Sequence, residues 1–352
     1  MTRILTYAQA INEGMHQVMS EHGNVIAYGL GVDDPKAIFG TTLGLKEAFG
    51  SERVFDMPTS ENAMTGVAIG AALNGIRSVM VHQRLDFFLL AIDQLVNSAA
   101  KWYFMFGGQK SVPIVIRLVL GRGWGQGPTH SQNLQAWFAH IPGLKVVMPT
   151  TPFDAKGLLV SSIFDNNPVI FLEHRWLHNT SGEVPESIYR VPIGAANVVR
   201  SGSKVTIVAM SYMTIEAIHA AKYLDRYGID CEVIDLRTVR PIDWPLIVES
   251  VRKTGHLVAL DTGHATISVA SEIIANSAIN CWEALVKAPI RIAMPDYPEG
   301  TSYALTKNYH PRAENIARKI AEMFDIKLAK EDLERSEVYP HDVPGDWFKG
   351  PF

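Results

Sequence analysis

Residues 112–120 read Val-Pro-Ile-Val-Ile-Arg-Leu-Val-Leu, and directly behind them comes Gly121-Arg-Gly-Trp-Gly-Gln-Gly-Pro-Thr-His-Ser-Gln132. A continuous apolar run of this kind suits a strand of a parallel sheet covered on both faces, whereas a half-exposed strand would alternate. Similar runs occur at Val25–Tyr28, Ser78–His82, Lys145–Met148 and Val169–Leu172, separated by helical patterns near 7–21, 61–74, 87–105, 131–140 and 152–164. The alternation predicts an α/β fold. A Gly/Pro-punctuated polar stretch follows, and the pattern then resumes at Val205–Met210, Cys231–Leu236, His256–Leu260 and Ile290–Ala293. At 352 residues the chain exceeds the usual size of one domain. The expected layout is a first domain over 1–185, a linker over 186–200, a second domain over 201–328 and a tail over 329–352. The tail, with Tyr339-Pro-His-Asp-Val-Pro344, either lies on a neighbouring surface or is disordered.

The net charge of −4 and the lack of a long Lys/Arg run argue against nucleic-acid or membrane-surface partners, so small metabolites are the expected ligands. Two cysteines, Cys231 and Cys281, give no disulfide framework. The N-terminal Met-Thr-Arg-Ile-Leu-Thr-Tyr lacks the apolar core of a signal peptide, and a reducing cytoplasm is expected.

Two stretches carry chemistry. A glycine-rich loop at the exit of strand 112–120 is well placed for a ligand, because open parallel sheets bind ligands outside the carboxyl ends of their strands. His130 is expected near the start of the next helix, where the dipole would keep an imidazole neutral; the ordinary alternative is a surface loop. The second stretch is Pro58-Thr-Ser-Glu-Asn-Ala-Met-Thr-Gly-Val-Ala-Ile-Gly70. Ser60 reads as a helix cap and Glu61 as a first-turn carboxylate. Ala63, Gly66, Ala68 and Gly70 behind it are small enough for a backbone or a flat ligand to come close. Beside an aromatic nitrogen heterocycle, away from water, Glu61 could shuttle a proton.

Other motifs do not complete. Gly29-Leu-Gly-Val-Asp-Asp34 lacks the third glycine of a dinucleotide fingerprint, and there is neither a Walker lysine pattern nor a Gly-X-Ser-X-Gly elbow. His174 and His178 stand four apart, but on a strand continuation with no third metal ligand in view.

Taken together, Pro58–Gly70, Ala91-Ile-Asp-Gln-Leu-Val-Asn-Ser-Ala-Ala-Lys101, Thr129–Gln132, Pro142-Gly-Leu-Lys-Val-Val147, Asp165-Asn-Asn-Pro-Val169 and Asp235-Leu-Arg-Thr-Val-Arg-Pro-Ile-Asp243 resemble the β subunit of the decarboxylating component of 2-oxo acid dehydrogenase complexes. That family belongs to the transketolase-like thiamine diphosphate enzymes, and the likeness runs from about residue 4 to 325. It implies a pyrimidine-binding domain followed by a transketolase C-terminal domain. By the same resemblance Glu61 bonds the ring nitrogen of the cofactor's aminopyrimidine, Phe87 stacks on that ring, and His130 lines the substrate side. A potassium site is implied at Ile114, Ser162, Ile163, Asp165 and Asn167. The family's Gly-Asp-Gly motif for diphosphate and magnesium does not occur in this chain. The resemblance therefore implies an α-type partner subunit, an α2β2 assembly, and a lipoyl acyltransferase as acceptor.

The chain departs from the family at His82-Gln-Arg-Leu-Asp-Phe87 and at Glu173-His-Arg-Trp176. His82, Arg84, Arg122 and His174 are accordingly expected in a substrate pocket that favours a carboxylate- or phosphate-bearing donor over pyruvate. The alternative is that Arg84 and Arg175 simply pair with Asp86 and Glu173. The expected activity is decarboxylation of a 2-oxo acid with transfer of the acyl fragment. A transketolase-like carboligase moving a two-carbon unit is the rival within the family, and a noncatalytic scaffolding subunit is the rival outside it.

Overall fold

The computed structural model describes residues 2–34, 36–123, 125–329 and 341–344. Apart from residue 329 and residues 341–344, the expected tail lies outside the described residues. The chain begins with β1 (Thr2–Thr6), α1 (Tyr7–Glu21), β2 (Val25–Gly29), α2 (Ala37–Gly40), α3 (Leu45–Phe49), β3 (Val54–Asp56), α4 (Glu61–Leu73) and β4 (Arg77–His82). It continues through α5 (Leu85–Phe88), α6 (Ala100–Met105), β5 (Ile114–Leu120), α7 (Gln135–His140), β6 (Lys145–Val147), α8 (Pro152–Phe164), β7 (Val169–His174) and β8 (Ser181–Pro185). Then come β9 (Asn197–Arg200), β10 (Val205–Ala209), α9 (Tyr212–Asp225), β11 (Cys231–Asp235) and β12 (Thr238–Arg240). The last elements are α10 (Trp244–Thr254), β13 (Leu257–His264), α11 (Val269–Asn280), β14 (Ile290–Met294) and α12 (Ala313–Met323).

Seven strands form one sheet in the order β12-β6-β7-β5-β4-β2-β3, parallel throughout except for β12. Five form a second sheet, β14-β13-β10-β11-β9, in which only β9 runs antiparallel. The fold is α/β with one parallel-dominated sheet in each half, while β1 and β8 make a separate antiparallel pair.

Strand β5 shows why its sequence is continuously apolar. Every residue of it is buried. Val115 joins Ile11, Met15, Val18, Leu158 and Leu159 of α1 and α8 on one face. Ile114, Ile116 and Leu118 join Ala68 and Ile69 of α4, with Phe88 and Phe138, on the other. Each such fully buried side chain contributes roughly 1.5–3 kcal/mol. Local signals set the covering helices. Thr6 and Gln9 form a reciprocal capping box at the start of α1, and Thr151 accepts from the Asp154 amide at 3.0 Å ahead of Pro152 at the start of α8. Both helices accordingly span 7–21 and 152–164, as the sequence predicts.

Three local expectations are corrected. The helix expected over 87–105 divides into α5, a 3-10 turn at Leu89–Ala91, a π-helical segment at Gln94–Ala99 and α6. The helix expected from 131 begins only at Gln135, because the Ser131 carbonyl accepts from the Asn133 side chain and Gln132 reaches across to Asp86, contacts that compete with a helical turn. Ser60 stands at the cap position of α4 without a side-chain capping bond. Among the described residues no helix is long and apolar enough to cross a membrane.

Candidate active site

The parallel strands of the first sheet deliver their carboxyl ends to one edge, and the site residues follow those ends. Glu61 follows β3, Phe87 follows β4, His130 follows β5 and Arg175 follows β7. Glu61 is 5 % exposed, and its carboxylate has no partner among the described residues. Its carbonyl accepts from Thr65 Oγ1 at 2.8 Å. One turn on, the Met64 carbonyl accepts from the buried Tyr28 hydroxyl at 3.1 Å, and Tyr28 stacks on Phe55. The start of α4 is thus fastened to β2 and β3 while its carboxylate is left unused.

Phe87 meets the His130 ring edge-on, with centroids 5.6 Å apart and planes at 88°. Gln132 Nε2 donates to Asp86 Oδ1 at 2.8 Å, which ties the two loops together. His130 Nδ1 lies 3.0 Å from Thr129 Oγ1, and its amide donates to the Gly127 carbonyl. Because α7 starts at Gln135, His130 stands in the loop before the helix, and the dipole expected to act on it does not apply. Arg84 lies over Phe87, 5.6 Å from the ring centroid. Arg84, Phe87 and His130 are therefore brought together.

The other expected pocket residues are placed differently. His82 is fully buried beside Phe88, both ring nitrogens lack partners among the described residues, and burial pushes it down to about 3, so it is neutral. His174 is buried between Trp176 and Tyr212, where burial holds it well below the usual imidazole range. A side chain at Gly121 would collide with this ring, and Gly121 also has φ +84°. Arg122 is not a free cation: it donates to Asp342 at 3.0 Å, Glu299 at 3.2 Å, and the carbonyls of Gln126, Gly300 and Thr301. It anchors the glycine-rich loop to the second half of the chain. Glu299, which also accepts from His310 in this cluster, is raised to about 8 by burial against the pull of Arg122.

The pairing of Arg175 with Glu173 is also corrected. Glu173 is held bidentately by Arg117, at 2.6 and 3.0 Å, and lies 3.3 Å from His178 Nε2. Arg175 is fully buried, and among the described residues its one acceptor is Gln126 Oε1 at 2.7 Å. Reading the sequence for sites passes over Arg175 because neighbouring opposite charges suggest mutual neutralisation. The signal that separates them is the end of β7 at His174, after which the chain turns into a 3-10 helix.

At the expected potassium loop, Arg77 Nη1 donates to the carbonyls of Ile163 at 2.9 Å and Asp165 at 2.8 Å, and Arg77 Nη2 donates to Asn166 Oδ1. The Asp165 carboxylate pairs with Lys145 and accepts from the Asn167 amide. Ser162 Oγ donates to the Leu158 carbonyl, and the Ile114 amide donates to Val112. The loop offers hard oxygen atoms, three of which already serve the Arg77 guanidinium. A cavity of about 480 Å³ opens between Ser131 and Asn133 of the glycine-rich loop and His264, Tyr297 and Glu299 of the second half.

Comparison with known proteins identifies the two halves of the chain. Residues 4–180 match the transketolase pyrimidine-binding domain and residues 194–316 the transketolase C-terminal domain. The chain is 42% identical over 327 residues to the beta subunit of acetoin:2,6-dichlorophenolindophenol oxidoreductase of Cupriavidus necator, covering 90% of this chain and 96% of that one. It is 38% identical over 327 residues to the mitochondrial pyruvate dehydrogenase E1 component subunit beta of Bos taurus, covering 92% and 91%. Among solved structures, the inactive beta4 tetramer of a split-gene transketolase superposes with a TM-score of 0.73 at 23% identity, over 92% of this chain and 99% of that one. This last likeness concerns the fold.

Proposed function

We propose a function from one premise: this chain belongs to the transketolase-like family, as a β-type subunit related to the E1 β subunits of 2-oxo acid dehydrogenases. It is the β subunit of a two-component, thiamine diphosphate-dependent enzyme that cleaves the bond beside a 2-oxo group and passes on the acyl fragment. The domain layout of 1–185, 186–200 and 201–328 is kept as part of this reading. The observation that carries it is Glu61, a nearly buried carboxylate at the head of a helix with no partner among the described residues.

The residues fit the coenzyme. A nearly buried carboxylate with no partner among the described residues suits a ring nitrogen that must share a proton with it, and Phe87 offers an aromatic face beside His130. When bound, thiamine diphosphate supplies a nucleophilic thiazolium carbon for attack on the 2-oxo carbon. Glu61 holds the aminopyrimidine through that shared proton. Phe87 fixes the plane of the ring. His130, oriented by Thr129, orients the 2-oxo substrate and handles a proton on the substrate side.

Diphosphate and magnesium are assigned to an α-type partner in an α2β2 assembly, because this chain contains no Gly-Asp-Gly. A lipoyl acyltransferase is the proposed acceptor, and the cytoplasm the proposed compartment, in keeping with buried, unpaired Cys231 and Cys281. Potassium would share the Ile163 and Asp165 carbonyls with Arg77; exchange of potassium for sodium then lowers the melting temperature, and an unchanged value removes the ion from the proposal.

The test is Glu61→Gln in the assembled two-component enzyme, assayed on a panel of 2-oxo acids. Loss of a proton-sharing carboxylate is expected to lower kcat by about 10²–10⁴-fold. Unaltered turnover would overturn the assignment.

A further inference from the structure

Arg175 carries an observation that the proposed chemistry leaves unused. The side chain is fully buried, and its Nε and Nη2 have no acceptor among the described residues. These two atoms form the side-on edge of a guanidinium, the edge that grips a carboxylate or phosphate through two parallel N–H···O bonds. The chain itself shows such an edge when matched. Arg117, equally buried, uses its Nε and Nη2 to hold both oxygens of Glu173. Arg84 follows the carboxyl end of β4 as Arg175 follows that of β7, the two strands that flank β5, and its Nε is likewise covered and unpartnered among the described residues. After burial, the charge of Arg84 is the next influence that brings Arg175 down to about 9.

Two guanidiniums with three covered and unpaired donor atoms make a costly arrangement unless an anion joins them. The carboxylates acting on Arg175 are already engaged. Asp86 accepts from Gln132, and Glu299 is held by Arg122 and His310. The place of the pair in the site is also defined, since Arg84 lies over Phe87 and Phe87 meets His130. An anion gripped there sits beside the side chains assigned to the coenzyme and the reacting carbon.

We propose that Arg84 and Arg175 together bind an oxyanion of the donor substrate that is remote from the bond that is cleaved. The inference rests on the proposed function. It makes the donor a dianion, either a 2-oxo dicarboxylic acid or a phosphorylated 2-oxo compound, the two classes that present this chemistry. Arg122, which is saturated by protein acceptors, has no part in it.

The experiment uses the assembled two-component enzyme and compares kcat/KM for pyruvate, a 2-oxo dicarboxylic acid and a ketose phosphate. In parallel, the melting temperature of the same protein is followed with glutarate and with inorganic phosphate. One dianionic class is expected to exceed pyruvate by about tenfold or more, and Arg175→Gln is expected to collapse that ratio through KM. Arg84→Gln, at a half-buried position, does the same in part and serves where Arg175→Gln fails to fold. Whichever of glutarate and phosphate matches the preferred donor raises the melting temperature of the parent protein and not that of the variants. A donor preference that is missing, or one that survives both substitutions, overturns the proposal. Should no donor of any class be turned over, the functional reading fails separately, and the anion-induced thermal shift alone decides whether the site exists.

Discussion

Arg117 stands in the middle of the most apolar strand of the chain, where a charged residue needs a reason. Its partner is not a sequence neighbour. In the β5–β7 register Val119 lies opposite Glu173, so Arg117 reaches the carboxylate diagonally along one face of the sheet. Burial by itself would raise the Glu173 carboxyl, but Arg117 and the hydrogen bond from His178 outweigh it and bring it down to about 2. The folded-state value is thus below the ordinary one of 4.5, and the stabilisation is complete above that value and lost as the pH falls through about 2. Arg117→Met should cost about 3–5 kcal/mol at neutral pH, because it leaves a buried carboxylate unpaired. Adding Glu173→Leu should recover much of the loss. Urea denaturation of the single and double variants checks both, and a neutral single variant would show that the pair is idle. The same lesson explains what was legible in the sequence. Glu61 and His130 are proposed from motif context and Phe87 from the family resemblance, whereas the unused edge of Arg175 depends on a cross-strand partner taking Glu173 away from it.

Among the elements, the long buried strands and the two capped helices are readable in the sequence, and the irregular helical segment is not. Composition marks a fully covered strand, and Thr6-Gln9 and Thr151-Pro152 mark helix starts. Nothing local marks the π-helical segment at Gln94–Ala99, which packs under α4 with Gln94 Oε1 near Gly66. Short strands such as β3, β8, β9 and β12 escape notice for a related reason: they exist through distant pairing and are too brief to show a period. The Pro142-Gly-Leu motif also gains a structural meaning. Gly143 has φ +97°, and a Cβ there would collide with the Ala100 carbonyl, while Lys101 Nζ donates to the Pro142 carbonyl at 2.8 Å. Gly143→Ala should therefore destabilise the protein by about 1–3 kcal/mol through overpacking at a left-handed position. A melting temperature within a degree of the parent would contradict this.

For the molecule as a whole, the structure binds the two halves more closely than alternation of strands and helices suggests. Strand β12, from the second half of the sequence, completes the edge of the first sheet by pairing antiparallel with β6. Each hydrophobic cluster also draws on both halves: Val115 and Leu158 share one with Val205 and Ala217, and Met148 and Ile170 share the other with Val208 and Leu236. The Arg122 anchor adds a polar tie, joining the loop after β5 to Glu299, Thr301 and Asp342. A fragment comprising residues 1–200 would lose β12, leave the edge of β6 unpaired and expose apolar surface on both sides of the sheet. Unfolding of the full chain is accordingly expected as one transition in which fluorescence and far-ultraviolet dichroism coincide. The fragment is expected to show no cooperative transition. Two well-separated transitions in the full chain, or a fragment that melts cooperatively, would mean that the shared clusters and the β12 crossover contribute little. The halves would then be independent domains joined by a linker.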